Sequence, residues 1–184
     1  MKELSLNILD VTQNSITAGA TLIQIHLTED EDGMLSISIK DNGCGMSDEV
    51  VKRVIDPFYT TRTTRKVGLG IPLLKLAAEQ TGGVLTITSV VDDGKTENHG
   101  TEIKATFDTK NIDFTPIGDI VSTICILIQS ADNIDFEYVH STPKGTVELY
   151  TSQMRQVLGD VPLSSFEVIE WAREYLNEQY STII

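Results

Sequence analysis

Leu4, Ile8 and Val11, continued by Ser15 and Ala18, recur every three or four residues and stop at Gly19. That spacing lines one face of a helix, so the chain should open with an amphipathic helix whose other face is polar. From Thr21 the period drops to two. Ile23, Ile25 and Leu27 alternate with Gln24, His26 and Thr28, and Leu35, Ile37 and Ile39 alternate with Ser36 and Ser38, around a Glu-Asp-Glu-Asp-Gly turn. This pattern predicts a hairpin with one buried face. Ser47-Asp48-Glu49 is a helix start by capping and by charge, and that helix must stop before Pro57. Residues 59–68 lack periodicity and read as a loop; a helix from about Leu69 to Thr81 then ends at Gly82-Gly83. A second hairpin follows over 84–90 and 101–107.

Helices and antiparallel hairpins in this order predict an α+β, two-layer arrangement, with helices on one face of a mixed, mostly antiparallel sheet. A boundary is expected near 110–116, dividing residues 1–110 from a small α+β extension over 111–184. In the extension we expect a helix over 117–130, strands over 134–140 and 146–151, and one or two closing helices. Phe166, Val168, Trp171, Ala172, Tyr175 and Leu176 form an apolar stripe. It belongs either to the core or to a contact with another protein or a second copy of the chain.

Charge narrows the partners. With 27 acidic against 14 basic residues the net charge is −13, which repels nucleic acid and anionic membranes. No apolar run approaches the roughly 18 to 20 residues of a bilayer span, and the first residues lack the apolar core of a signal peptide. The expected location is the cytoplasm. Cys44 and Cys125 have no ligand or disulfide spacing, and His26, His99 and His140 read as structural or surface residues.

Several segments carry chemistry. Asp10, Asn14 and Thr17 stand one helical turn apart on the polar face, where an amide oxygen can take one position of an octahedral Mg²⁺ and a carboxylate can orient water. The same column is also consistent with a plain solvated face. Asp41 ends a strand and is followed by Asn42-Gly43-Cys44-Gly45-Met46, where glycines let the backbone approach a ligand and the carboxylate can accept from an exocyclic amine. A simple Asn-Gly turn is the alternative. Arg62, Arg65 and Lys66 form a basic loop in an acidic chain, and Gly68-Leu69-Gly70 then opens a helix. A lid over phosphates or a solvated basic loop would each explain that segment.

Taken together, the segments resemble the motif set of the Bergerat-fold (GHKL) ATPases. The stretch 10–21 resembles the N box of MutL-type proteins, 41–46 the first glycine box, 56–62 the F box of histidine kinases and 67–71 their second glycine box; Gly100-Thr101 falls where the family has Gly-Thr on a late strand. The resemblance covers about 4–108. It implies ATP and Mg²⁺ as ligands. Nucleotide contacts would come from Asn14, Ala18, Asp41, Gly43, Gly45, Met46, Thr61, Arg62, Lys66, Gly68, Leu69, Gly70 and Thr101, with Asn14 holding the metal and Asp10 as catalytic residue.

Departures from the pattern accompany it. Asp10 is a methylene shorter than the glutamate base of the MutL and gyrase branch, and histidine kinases usually have asparagine there and a basic residue at the place of Thr17. Lys66-Val67 replaces the usual Gly-Thr before Gly68. No phosphoacceptor hairpin precedes the first helix, so a complete histidine kinase is not expected. Three functions remain open: a slow ATPase or nucleotide-driven switch, a kinase acting in trans on a separate protein, and a non-catalytic ATP sensor.

Overall fold

The computed structural model describes residues 2–56 and 69–184. In chain order the elements are α1 (Leu4–Thr17), β1 (Leu22–Glu29), β2 (Met34–Asp41), α2 (Asp48–Val54), α3 (Gly70–Gln80), β3 (Leu85–Val90), β4 (Gly100–Asp108), α4 (Ile120–Ser130), β5 (Asp135–Thr142), β6 (Gly145–Tyr150), α5 (Thr151–Leu158) and α6 (Phe166–Ile183). The loop expected over 59–68 lies outside the described residues.

Strand order in the sheet is β3-β4-β2-β1-β5-β6. Every neighbouring pair is antiparallel except β1 with β5. The single parallel pair follows from connectivity. α4 carries the chain from β4 across the helical layer to β5, and a parallel strand needs such a crossover rather than a tight turn. The sheet therefore continues without a break from the hairpins of the first part into the β5-β6 hairpin of the extension.

Period-two patterning decides which face is covered. Ile23, Ile25 and Leu27 on β1 and Leu35, Ile37 and Ile39 on β2 are buried, while His26 and Thr28 face water. Against the buried face pack α1 through Leu4, Ile8 and Val11, α3 through Ile71, Leu74 and Ala78, and α4 through Ile124, Leu127 and Ile128. This is the α+β two-layer architecture expected from the sequence.

Two helices differ from the periodicity. α4 begins three residues later than Ile117, because Gly118 turns the chain at φ +76° and Asp119 caps the helix by accepting from the Ser122 backbone N–H at 2.9 Å. The apolar stripe of α6 divides. Val168, Ala172 and Leu176, with Ile169, are buried, whereas Phe166, Trp171 and Tyr175 are 73%, 50% and 37% exposed. At about 100° per residue, positions 171 and 175 fall beside the buried column rather than on it.

The end of α6 is tied to the sheet by a polar network. The Tyr180 hydroxyl is hydrogen-bonded to Tyr138 on β5 and, at 2.7 Å, to Nδ1 of His140; Nε2 of His140 meets Glu29 at 2.8 Å. Burial, followed by the nearby Glu29 charge, pushes the Tyr180 phenol up to about 12, against a lowering hydrogen bond from Tyr138, and burial raises Tyr138 well above its ordinary value. Because both phenols hold their protons more tightly when folded, their contribution is complete below the unfolded tyrosine value of about 10. It is lost as pH rises toward the folded value, where the unfolded chain binds fewer protons. The urea midpoint should accordingly fall between about pH 10 and 12, and Tyr180→Phe should flatten that fall. An unchanged slope in the variant would show that Tyr180 is not the titrating group.

Candidate functional site

Asp41 is the last residue of β2, opposite Thr101 on β4, where the strand leaves the sheet beside α1. It is 7% exposed, and three donors converge on its carboxyl group. The Gly43 N–H donates to Oδ1 at 2.9 Å, the Thr101 N–H to Oδ1 at 3.3 Å and the Ser15 hydroxyl to Oδ2 at 2.6 Å. Each carboxylate oxygen accepts about two hydrogen bonds, so Oδ2 retains an acceptor site. Asn42 holds the turn: its Oδ1 accepts from the N–H groups of Thr21 and Leu22 at 2.8 and 3.0 Å.

The following loop is laid flat between α1 and β3. The Cys44 N–H donates to the Ala18 carbonyl at 3.0 Å, the Asp92 N–H donates to the Cys44 carbonyl at 2.9 Å, and His99 Nδ1 lies 2.7 Å from the Gly43 carbonyl. Gly45 has φ +69°, and a Cβ there would stand 2.0 Å from the Val90 carbonyl oxygen, so only glycine fits. The Ser89 hydroxyl joins this loop to the sheet. It accepts from the Met46 N–H at 2.7 Å, donates to the Gly100 carbonyl at 3.2 Å and lies 2.7 Å from the Thr101 hydroxyl.

These elements enclose a pocket of about 530 Å³, within the range of small-molecule sites. Val11, Ala18, Met46, Val50, Val54, Ile71 and Ile103 supply its apolar wall. Asn14, Ser15, Thr17, Asp41, Arg53, Asp56 and Thr101 supply polar groups, among which Ser15 and Asp41 are buried. An apolar slot with one anchored carboxyl group is suited to a flat heterocycle bearing an amino group. The carboxyl supplies orientation, and the apolar wall supplies area removed from water.

Of the residues singled out by sequence, Asn14, Ala18, Asp41, Gly45, Met46 and Thr101 line this pocket together. Gly43 stands behind Asp41 as one of its donors. Leu69 and Gly70 lie at the start of α3, where the N-cap residue Leu69 makes no side-chain cap hydrogen bond. Asp10 is exposed and outside the pocket wall; it sits beside that helix start, 3.1 Å separating its Cβ from the position a Cβ on Gly70 would take. Thr61, Arg62, Lys66 and Gly68 lie outside the described residues.

Ser15 and Ser89 were not among the sequence candidates. The signal for Ser15 was its place on the apolar face of α1, where a hydroxyl needs a buried partner. Ser89 carried no such signal, since its strand alternates in the ordinary way.

Among the described residues no group of three His, Cys, Asp or Glu is placed to hold a metal ion. A Mg²⁺ ion at this site would therefore depend mainly on phosphate and water oxygens, which is usual for that ion. Asn14, on the pocket wall one helical turn from Asp10, fits the role of its single protein oxygen.

Comparison with known proteins bears on the family and the fold. Over 96 residues the chain is 33% identical to the signal transduction histidine-protein kinase AtoS of Escherichia coli strain K12, covering 52% of this chain and 16% of that protein. The chain thus spans a small part of the length of that relative. Among solved structures, the N-terminal domain of a DNA repair protein superposes with a TM-score of 0.58 at 17% identity, over 82% of this chain and 52% of that one. The Aquifex aeolicus MutL ATPase domain complexed with ADP gives 0.52 at 13% identity, over 95% of this chain and 88% of that one. At these identities the structural likeness is one of fold. The profile of the family described as histidine kinase-, DNA gyrase B- and HSP90-like ATPase matches residues 1–111, well over half of the chain, and the protein belongs to that family.

Proposed function

We propose that the pocket binds Mg-ATP, with the adenine amino group donating to Asp41 and the phosphates directed toward Asn14 and the start of α3, and that the bound nucleotide is slowly hydrolysed. The observation that carries this reading is the Asp41 carboxyl group. It is held by three donors beside Thr101 at the wall of an apolar pocket, with one acceptor site left for a ligand.

In the hydrolytic step a water oxygen bonds to the γ-phosphorus, the bond from that phosphorus to the β-bridging oxygen breaks, and the proton released by the water passes to the Asp10 carboxylate. ADP and phosphate result. Asn14 would hold a magnesium ion, which when bound would offset the negative charge of the phosphates. The N–H groups at the start of α3 and the positive end of its dipole favour the same phosphates.

Asp10→Asn keeps the shape of the side chain but removes the base. Release of phosphate should stop, by a factor of about 100 or more, while calorimetry reports nearly unchanged ATP affinity. Turnover at the wild-type rate in this variant would remove Asp10 from the chemistry.

A second reading, transfer of the γ-phosphoryl group to a separate protein, is favoured by the 33% identity to a histidine kinase over 96 residues. Incubating the chain with γ-labelled Mg-ATP, with and without cell extract, separates the cases. Label released as phosphate supports hydrolysis, label on a second protein supports the kinase, and label remaining on ATP for hours identifies a binding module that senses nucleotide.

A further inference from the structure

Away from the nucleotide pocket, β6, α5 and α6 enclose a groove of about 400 Å³. Leu149, Met154 and Leu158 lie along it, Trp171 and Tyr175 form one side, and Glu148 and Val157 also line it. Trp171 and Tyr175 stack with ring centroids 4.9 Å apart and planes 11° from parallel, so the two rings make one stiff aromatic surface. Val157 is 87% exposed and Trp171 50% exposed. Apolar groups this open, gathered around a concave site, mark an interaction surface rather than an isolated surface residue.

The surrounding charge states what fits there. Over residues 146–184, Glu148, Asp160, Glu167, Glu170, Glu174 and Glu178 are opposed only by Arg155 and Arg173. Both arginines are already engaged. Arg155 bonds the Asp135 carboxyl at 2.8 Å and the carbonyls of Asp132 and Ile134, while Arg173 bonds Ser122 at 2.9 Å and stands 3.7 Å from Glu170. The groove lining contains one charged residue, the acid Glu148.

We propose that this groove docks a cationic amphipathic segment of another protein, with its apolar side chains against Val157 and Leu158 and its lysines or arginines toward Glu148, the exposed Glu167, Glu174 and Glu178 of α6, and the Trp171 ring. A helix laid into an apolar groove is a recurrent mode of such recognition. A cation gains further from an indole face. A second copy of this chain would bring like charge to like charge, since the net charge is −13. An anionic lipid surface is disfavoured for the same reason. The proposal does not depend on the nucleotide reading.

Trp171 is the only tryptophan in the chain, so its fluorescence reports on this groove. The full chain is titrated with an amidated peptide of about 14 residues, long enough for a few helical turns, built from leucine and lysine in a helical amphipathic pattern. Two controls are its glutamate counterpart and a scrambled leucine-lysine peptide. A saturable change in Trp171 emission is expected with the amphipathic lysine peptide alone. Val157→Lys, at an exposed position that leaves the core intact, should weaken that binding by about tenfold or more, and Glu148→Gln should weaken it less and lower its salt dependence.

No response to the lysine peptide, an equal response to the scrambled one, or unchanged affinity in Val157→Lys would each overturn the proposal. Concentration-dependent dimerisation of the chain alone, abolished by Val157→Lys in sedimentation, would also overturn it in favour of self-association.

Discussion

Replacing Asp41 with alanine should reduce ATP affinity by about 5-fold to 150-fold, the equivalent of one charge-assisted hydrogen bond of about 1 to 3 kcal/mol. The same substitution strands the N–H groups of Gly43 and Thr101, which now donate to Oδ1. Each stranded donor costs about 1 to 3 kcal/mol unless water reaches it, so Asp41→Ala also lowers stability. Asp41→Asn separates the two effects. Its carbonyl oxygen can still accept from both N–H groups, and its NH₂ can donate to Ser15, whose hydroxyl now donates to Oδ2 at 2.6 Å. Toward the ligand, however, an acceptor has become a donor. The asparagine variant should keep its urea midpoint while calorimetry shows a loss of ATP affinity comparable to that of alanine. Wild-type affinity in Asp41→Asn would mean that the adenine amino group is bound elsewhere.

Gly100→Ala should lower stability by about 2 to 5 kcal/mol. Gly100 has φ +127°, a region that L side chains rarely adopt, and a Cβ there would lie 2.0 Å from the Asp41 carbonyl oxygen and 2.8 Å from its carbon. Neither contact is with a flexible side chain. Relief requires β4 to move away from the end of β2, which would break the Asp41 to Thr101 pairing at the pocket wall. The expected result is a fall in thermal midpoint together with weakened nucleotide binding. Full stability in the alanine variant would show that the two strands do not approach this closely. The two experiments bear on different parts of one arrangement: Asp41 tests the group that meets the ligand, and Gly100 tests the strand geometry that carries it.

The nucleotide pocket and the groove on the extension differ in what they ask of a sequence. Asp41, Gly45 and Met46 lie within six residues of one another, on a turn whose glycines announce a close backbone approach. Ser15 stands on the apolar face of α1, which signals a buried partner, but nothing local says that this partner is Asp41, 26 positions away. The groove draws on β6, α5 and α6, and which side of each faces it depends on their packing.

Sequence alone determined the elements and their buried faces, because a side chain's direction follows from a local period, two in a strand and 3.6 in a helix. Hence Ile23, Ile25 and Leu27, and Leu4, Ile8 and Val11, were legible as inward-facing from their spacing, and Asp41 was legible as a chemical group at a strand end. Tertiary structure decided that β5 joins β1 in parallel and extends the same sheet, that Ser15 and Thr101 secure Asp41, and that Trp171 and Tyr175 leave the buried column of α6. Those outcomes depend on contacts between residues far apart in the chain, and no local period encodes which distant surface a side chain will meet.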